Sequence, residues 1–289
     1  MTAIRPLDAY VHDFLHSLPQ QAAQDAQTWI TRGANFVVLY SQVRAGAVFT
    51  RQTQEDEYMV FNLDAQVYVR ALGGECLASP DTLVIVPPGP SRLEVQKDGT
   101  LVRLFSRRAT DLAAQAVNAF QYVHDAPGVA PLIDRPVWSE TRLRSYCVNA
   151  YRPAQGNMCV FRSHNLMLNI MRPRQAPRDT RMLSPHQHED FEQGSLALRG
   201  VWKHHLRYPW TKNLAEWRED VHLSVGSPSL LVIAPQVIHT SHNVSDGESW
   251  LLDIFAPPRK DFCTQAGTVR NAEDYPFDHE PKRTPHPSG

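Results

Sequence analysis

The sequence predicts an all-β-dominated protein of two β modules, with helices leading the chain and joining the modules. From Phe36 onward, short runs rich in Val, Ile, Tyr and Phe (FVVLY, EYMVFNL, QVYVRAL, TLVIV, RLEV, LVRLF) are separated by Gly, Pro and Asp. That texture is the mark of a small sandwich or barrel. It returns at SYCVNAY, LMLNIM, SLALRG, around VWKHHLRY, and at HLSV, SLLVIA and SWLLDIF. Between the two stretches, Leu112, Ala113, Ala116, Val117, Phe120 and Val123 fall along one helical face, with Thr110 or Asp111 as cap and Pro127-Gly128 as terminator.

In chain order, residues 1–33 read as a helical lead. Leu7, Tyr10, Val11, Phe14, Leu15 and Leu18 recur at helical spacing between Pro6 and Pro19, and a second short helix is expected over 20–31, stopping near Gly33. His12 and His16 lie outside the apolar stripe and are expected to be solvated surface residues. Residues 34–108 form the first β module, 109–145 a helical linker and 146–262 the second β module. The proline-rich, polar residues 263–289 read as an extended or disordered tail.

Composition removes several classes of function. With 29 Lys+Arg against 30 Asp+Glu, the net charge of −1 gives no broad reason to bind nucleic acid. The longest apolar runs, at 36–40 and 230–234, fall far short of the roughly 20 residues of a membrane span. Asp8 and Asp13 stand where an export signal would carry its apolar segment, so a cytoplasmic protein is expected. Cys76, Cys147, Cys159 and Cys263 are far apart without a CxxC pair, which indicates neither a zinc knuckle nor a disulfide framework.

Histidine is the strongest chemical signal, since ten of the 13 lie from His164 onward. His186 and His188, at i and i+2, share one face of an extended strand and can converge on one ion. His239 follows an apolar strand at a point where a turn can aim it inward. Three neutral imidazoles with one oxygen ligand suit Fe(II), Mn(II), Ni(II), Cu(II) or Zn(II). The strand after Gly200 alternates Trp202, His204, Leu206 and Tyr208 against Val201, Lys203, His205 and Arg207. The first, more apolar face is expected to look inward, so that Trp202, His204 and Tyr208 line a pocket beside the metal. Arg207 reaches a substrate carboxylate only if the register shifts. The segment 209–219, with Trp210 and Trp217, is either a lid or a packed surface helix.

These residues resemble the two signature motifs of the cupin superfamily. His186 and His188 match the first-motif pair, His239 the second-motif histidine, and Asn243 the asparagine four residues beyond it. The oxygen ligand has two registers: counting on from His188 gives Glu192, and counting back from Gly200 gives Gln193. Gln193 is favoured, because strand register is fixed by the pleat and Gly200 marks the turn. The second motif has Gln236 near the place of its usual glycine.

The resemblance implies two double-stranded β-helix (jelly-roll) barrels, a bicupin. Aligning Glu57 with Gln193 puts Thr50 and Gln52 at the histidine pair and Arg92 at His239, so the first barrel has lost its imidazoles and is structural or a dimer surface. It further implies one divalent transition metal ion per chain, Fe(II) favoured, held by His186, His188, His239 and Gln193 (or Glu192). His204 and Tyr208 are the candidate catalytic residues, and Trp202 and Arg207 the candidate substrate contacts. The activity expected is a dioxygenase acting on a small aromatic or diketone-like substrate. Alternatives are a redox-free isomerase or lyase acting on a carbonyl or sugar acid, and a non-catalytic small-molecule sensor. A homodimer is expected, with neither nucleic acid nor membrane as partner, and no helix-turn-helix accompanies the modules.

Overall fold

The computed structural model describes residues 5–124, 126–133 and 142–277. Strands before the connection are β1 (Tyr10–Asp13), β2 (Gln21–Ala22), β3 (Ala26–Arg32), β4 (Phe36–Val43), β5 (Val48–Arg51), β6 (Tyr58–Asn62), β7 (Gln66–Ala71), β8 (Gly74–Ala78), β9 (Thr82–Val86), β10 (Ser91–Lys97) and β11 (Gly99–Ser106). Helix α1 (Thr110–Gln115) and a 3-10 turn (Ala119–Tyr122) follow. Then come β12 (Arg144–Cys147), α2 (Val148–Tyr151), β13 (Val160–Arg162), β14 (Met167–Ile170), β15 (Gln193–Arg199), β16 (Trp202–Arg207), β17 (Val221–Val225), β18 (Ser229–Ile233), β19 (Ile238–Asn243), β20 (Trp250–Phe255) and α3 (Lys260–Thr264).

These strands make two sandwiches. In the first, a seven-stranded sheet ordered β12-β9-β6-β11-β4-β3-β2 packs on a four-stranded sheet ordered β5-β10-β7-β8, around Val37, Leu39, Val60, Val84, Leu93 and Phe105. In the second, a six-stranded sheet ordered β1-β18-β15-β20-β14-β13 faces a three-stranded sheet ordered β17-β16-β19. The two large sheets lie back to back: Phe36, Met59, Phe61 and Leu83 from one join Leu196, Leu230, Leu252 and Ile254 from the other in a single apolar layer. Strands β6, β9, β18 and β20 are therefore buried on both faces. This explains why they read as continuous apolar runs rather than alternating ones.

Each large sheet takes its edge strand from the chain segment leading into the other sandwich. β1 pairs with β18 of the second sandwich, and β12 pairs with β9 of the first. The helical lead expected over residues 1–33 is consequently corrected to strands. Tyr10 and Val11 sit in an antiparallel ladder, and the run Thr28-Trp29-Ile30-Thr31, rich in β-branched and aromatic residues, pairs with β4. His12 is corrected as well. It is 3% exposed and bonded to Thr31 Oγ1 at 2.6 Å and Ser17 Oγ at 2.9 Å, whereas His16 is exposed beside Asp13.

The linker helix is shorter than expected. Its N-cap is Ala109, without a side-chain cap bond, and Phe120 and Val123 are exposed; part of the 109–145 stretch lies outside the described residues. In the expected tail, residues 263–277 are anchored at Val269, Asn271 and Tyr275, which are buried. Val269 bridges Val160, Tyr275 is buried with its hydroxyl donating to Glu57 at 2.7 Å, and residues from 278 lie outside the described region. Among the described residues no helix is long and apolar enough to cross a membrane.

Candidate metal centre

The candidate centre lies inside the second sandwich, where β15, β19 and the segment before β15 meet. His186 and His239 form a backbone bridge, with N–H to carbonyl bonds of 3.1 and 2.8 Å in the two directions. The turn before β19 passes through Gln236, whose φ of 64° is left-handed and whose N–H donates to the His188 carbonyl at 2.6 Å. A glutamine thus holds the backbone conformation that the missing motif glycine would adopt without strain. Gly200, with φ of 86°, turns β15 into β16; an added Cβ there would lie 2.5 Å from Ser249 Oγ.

One ring nitrogen from each of His186, His188 and His239 lies within 4.8 Å of the others, and among the described residues this is the group of three or more such side chains close enough to share a metal ion. Nδ1 of His186 donates to the Ser184 carbonyl and Nδ1 of His239 to the Val237 carbonyl, both at 2.9 Å. Because a carbonyl only accepts, both rings keep the Nε2 lone pair free for a ligand. Burial pushes His188 down to about 3 and His239 down to about 4, so both are neutral donors near neutral pH.

Gln193 completes the group. Its Oε1 lies 2.9 Å from His188 Nε2 and 3.3 Å from His239 Nε2. Its amide nitrogen donates to Ser195 Oγ at 2.8 Å and to Asp253 Oδ1 at 3.1 Å. Those acceptors turn the amide oxygen, rather than the nitrogen, toward the imidazoles. Three imidazoles and one amide oxygen form a borderline-soft donor set that fits a divalent transition ion. Glu192 faces the opposite way. Its carboxylate accepts from Ala34 N–H at 2.5 Å and Tyr122 hydroxyl at 3.1 Å, and burial pushes it up to about 7.

Of the expected pocket residues, Trp202 lines the cavity of about 130 Å³ that opens on His186, Gln193 and His239. The inward alternation holds: Trp202, His204, Leu206 and Tyr208 are all buried. His204, pushed down to about 4 by burial, reaches this cavity only through Ser241, at 2.7 Å from its Oγ. Tyr208 is corrected. β16 ends at Arg207, and the Tyr208 hydroxyl instead accepts Ala9 N–H at 2.9 Å while the Arg218 guanidinium covers its ring. Arg207 is corrected too, because the register is unshifted and its guanidinium pairs with Asp220 on the outer face. In 209–219, a short 3-10 turn (Leu214–Glu216) is flanked by Trp210 and Trp217 stacked at 4.1 Å.

Sequence reasoning missed Arg174 and Arg178, which line the same cavity. The Arg178 guanidinium is held by the Ser241 and Met182 carbonyls at 3.1 and 3.0 Å. Arg174 is anchored through its backbone, which exchanges N–H to carbonyl bonds of 2.9 and 2.8 Å with Ser249. The signal was present: Arg172, Arg174, Arg178 and Arg181 crowd the segment immediately before the HxH pair. Asp253 was also legible as a lone carboxylate in the apolar run LLDIF; it is buried, which pushes it up to about 6.

No protein-family model and no curated protein sequence matches the chain. Solved structures do. An oxalate decarboxylase of Lactobacillus farciminis, in complex with formate, has a TM-score of 0.57 at 14% identity, over 86% of each chain. Protein Ylba of E. coli has a TM-score of 0.57 at 12% identity, over 90% of this chain and 94% of that one. AerE of Microcystis aeruginosa has a TM-score of 0.54 at 9% identity, over 82% of this chain and 94% of that one. The fold is of the cupin type.

Proposed function

We propose that the protein is a metal-dependent enzyme acting on a small anionic, oxygen-rich substrate, with dioxygenase chemistry as its reaction class. The observation that carries this reading is the meeting, in one cavity, of the His186, His239 and Gln193 donors with Arg174 and Arg178. A divalent ion at that site supplies Lewis acidity and open coordination positions. Because all four proposed ligands are neutral, none offsets the ion's charge, and an anionic substrate is drawn in by that charge and by both arginines. Arg174 is placed to bind a carboxylate or enolate oxygen, Arg178 to keep the mouth of the cavity in shape, and Trp202 to wall it against water. His204 holds Ser241 in position.

A redox-free isomerase or lyase reaction on a carboxylate is the second reading, favoured by the same arginines and by the structural similarity to an oxalate decarboxylase. Oxygen uptake by the Fe(II)- or Mn(II)-loaded protein across a panel of small enols and carboxylates decides between them. Uptake with one substrate supports the dioxygenase; anaerobic turnover supports the second reading. Arg174→Ala should raise KM for an anionic substrate about tenfold, the cost of one charge-assisted contact, and full retention of affinity would remove the anionic-substrate reading.

The first sandwich we infer to be a copy whose site has decayed. Its sheet order β12-β9-β6-β11-β4-β3 parallels β1-β18-β15-β20-β14-β13. Tyr58 pairs with Val86 as Gln193 pairs with Ile233, and Arg51 pairs with Ser91 as His186 bridges His239. The equivalent positions are therefore Arg51, Tyr58 and Ser91, one step from the expected Thr50, Glu57 and Arg92. Tyr58 fills the space, stacked on Phe105 at 4.5 Å and bonded to Ser91 Oγ at 2.9 Å.

A further inference from the structure

A second histidine cluster lies on the outer face of the small sheet of the second sandwich, away from the barrel interior. His205 of β16 stands directly opposite His222 of β17, and their Nδ1 atoms are 2.7 Å apart. The ring of His242, from β19, lies parallel to that of His205 at 5.2 Å. His242 is 7% exposed, and its Nδ1 is buried without a hydrogen-bond partner. His205 and His222 open on a cavity of about 200 Å³ that is also lined by Arg207, Asp220, Thr240 and His239.

We propose that His205 and His222 form a second transition-metal site, which staples the base of the hairpin joining β16 to β17. Two neutral imidazoles that meet through Nδ1 must be a donor and an acceptor, so one proton already sits between two nitrogens. A divalent ion takes its place once the donor ring carries its proton on Nε2 instead, a tautomer change that releases no proton. The nitrogens must open from 2.7 Å to about 3.3 Å, the separation of two ligands at roughly 2.0 Å around a tetrahedral ion. Both lie on an exposed hairpin that permits this movement, and the parallel His242 ring fixes the plane of His205. Arg207 adds no net charge beside the ion, because Asp220 pairs with it. Lys203, on the same face, weakens the site and makes it the looser of the two. Its donors are nitrogen alone, which selects Zn(II), Cu(II) or Ni(II) over Mg(II) or Ca(II).

The location gives the ion a role. Leu206 and Val221 are the next paired residues, and beyond them the chain leaves for the segment that carries the stacked Trp210 and Trp217. An ion across His205 and His222 therefore cross-links the two stems of that hairpin at its root. This goes beyond the barrel reading and stands without it.

The test titrates tag-free protein with Zn(II) under native mass spectrometry and follows hydrogen exchange of residues 208–220. Wild type should bind two ions, the paired variant His186→Ala/His188→Ala one, and the amides of 208–220 should exchange more slowly once Zn(II) is added. In the paired variant, His205→Asn and His222→Asn should each weaken the remaining site at least about tenfold; in the otherwise wild-type chain each should abolish the Zn(II)-dependent slowing while leaving the barrel ion in place. The proposal is overturned if the paired variant binds no Zn(II), or if neither asparagine variant changes the stoichiometry of wild type or the exchange of 208–220. Loss of binding in the paired variant's barrel alone, or its persistence there, bears on the barrel reading and not on this one.

Discussion

Exchanging the roles of two adjacent side chains provides the sharpest test of the metal centre. In Gln193→Leu the oxygen 2.9 Å from His188 Nε2 disappears, together with the amide that donates to Ser195 and Asp253. Removing one of four direct donors should weaken metal binding at least as much as losing an outer partner that orients a ligand, about 10- to 100-fold, or about 1.4–2.8 kcal/mol. The metal-free protein should also lose about 2–4 kcal/mol, since the buried Asp253 carboxylate and the Ser195 hydroxyl each lose a donor. Glu192→Gln keeps an oxygen acceptor for Ala34 N–H and lies on the other side of the sheet. It should leave the metal dissociation constant within about threefold and change stability by no more than about 1 kcal/mol, since burial already holds the carboxyl up to about 7 and disfavours its charged form. Competition against a chromophoric chelator reads the affinities, and urea unfolding of the metal-free proteins reads the stabilities. If Glu192→Gln strips the ion while Gln193→Leu keeps it, the carboxylate is the ligand in the loaded protein, whatever the side chains do without metal.

Tyr208→Phe should leave turnover unchanged and destabilise by about 1 kcal/mol in urea, because only the Ala9 N–H loses its partner. His12, buried against Thr31 and pushed down to about 4 mainly by desolvation, is protonated in the unfolded chain below about 6.5 but in the folded one only below about 4. Its contribution is complete above pH 6.5 and is lost as pH falls toward 4, by up to about 3 kcal/mol; His12→Gln should flatten that part of the stability profile, and an unchanged slope would refute the assignment. Gly33→Ala should cost at least about 1–3 kcal/mol by thermal unfolding, since its Cβ would lie 2.6 Å from Glu192 Oε2 and 2.7 Å from the Phe36 ring. Light scattering across working concentrations should give a homodimer, and a monomer throughout would remove that expectation.

What could be read from the sequence was whatever depends on neighbours along the chain. The strand texture, the grouping of His186 and His188 by the two-residue pleat, and the place of His239 after an apolar strand are all local. What failed depends on distant partners. Over the few residues from Tyr10 to Phe14 a helical and an alternating pattern look alike, and the choice is made by β18, far along the chain. Tyr208 fails for a related reason: alternation assigned it to the pocket, but the strand had already ended and an N-terminal amide claimed its hydroxyl. Arg174 and Arg178 sit on a connection with no period at all, so only their density could have drawn attention.

The exchange of edge strands decides what can exist as a separate piece. Because Tyr10–Asp13 completes the second sandwich and Arg144–Cys147 the first, no single cut between them yields two self-sufficient halves. Each fragment would carry away a strand belonging to the other and expose the edge it left behind, an invitation to aggregate. On the ribosome, the first segment emerges early yet must wait for Ser229–Ile233 before it has a partner, so folding of both sandwiches closes late and over long sequence separations. A chain swap is the corresponding hazard: two copies could trade Tyr10–Asp13 without losing a single ladder bond.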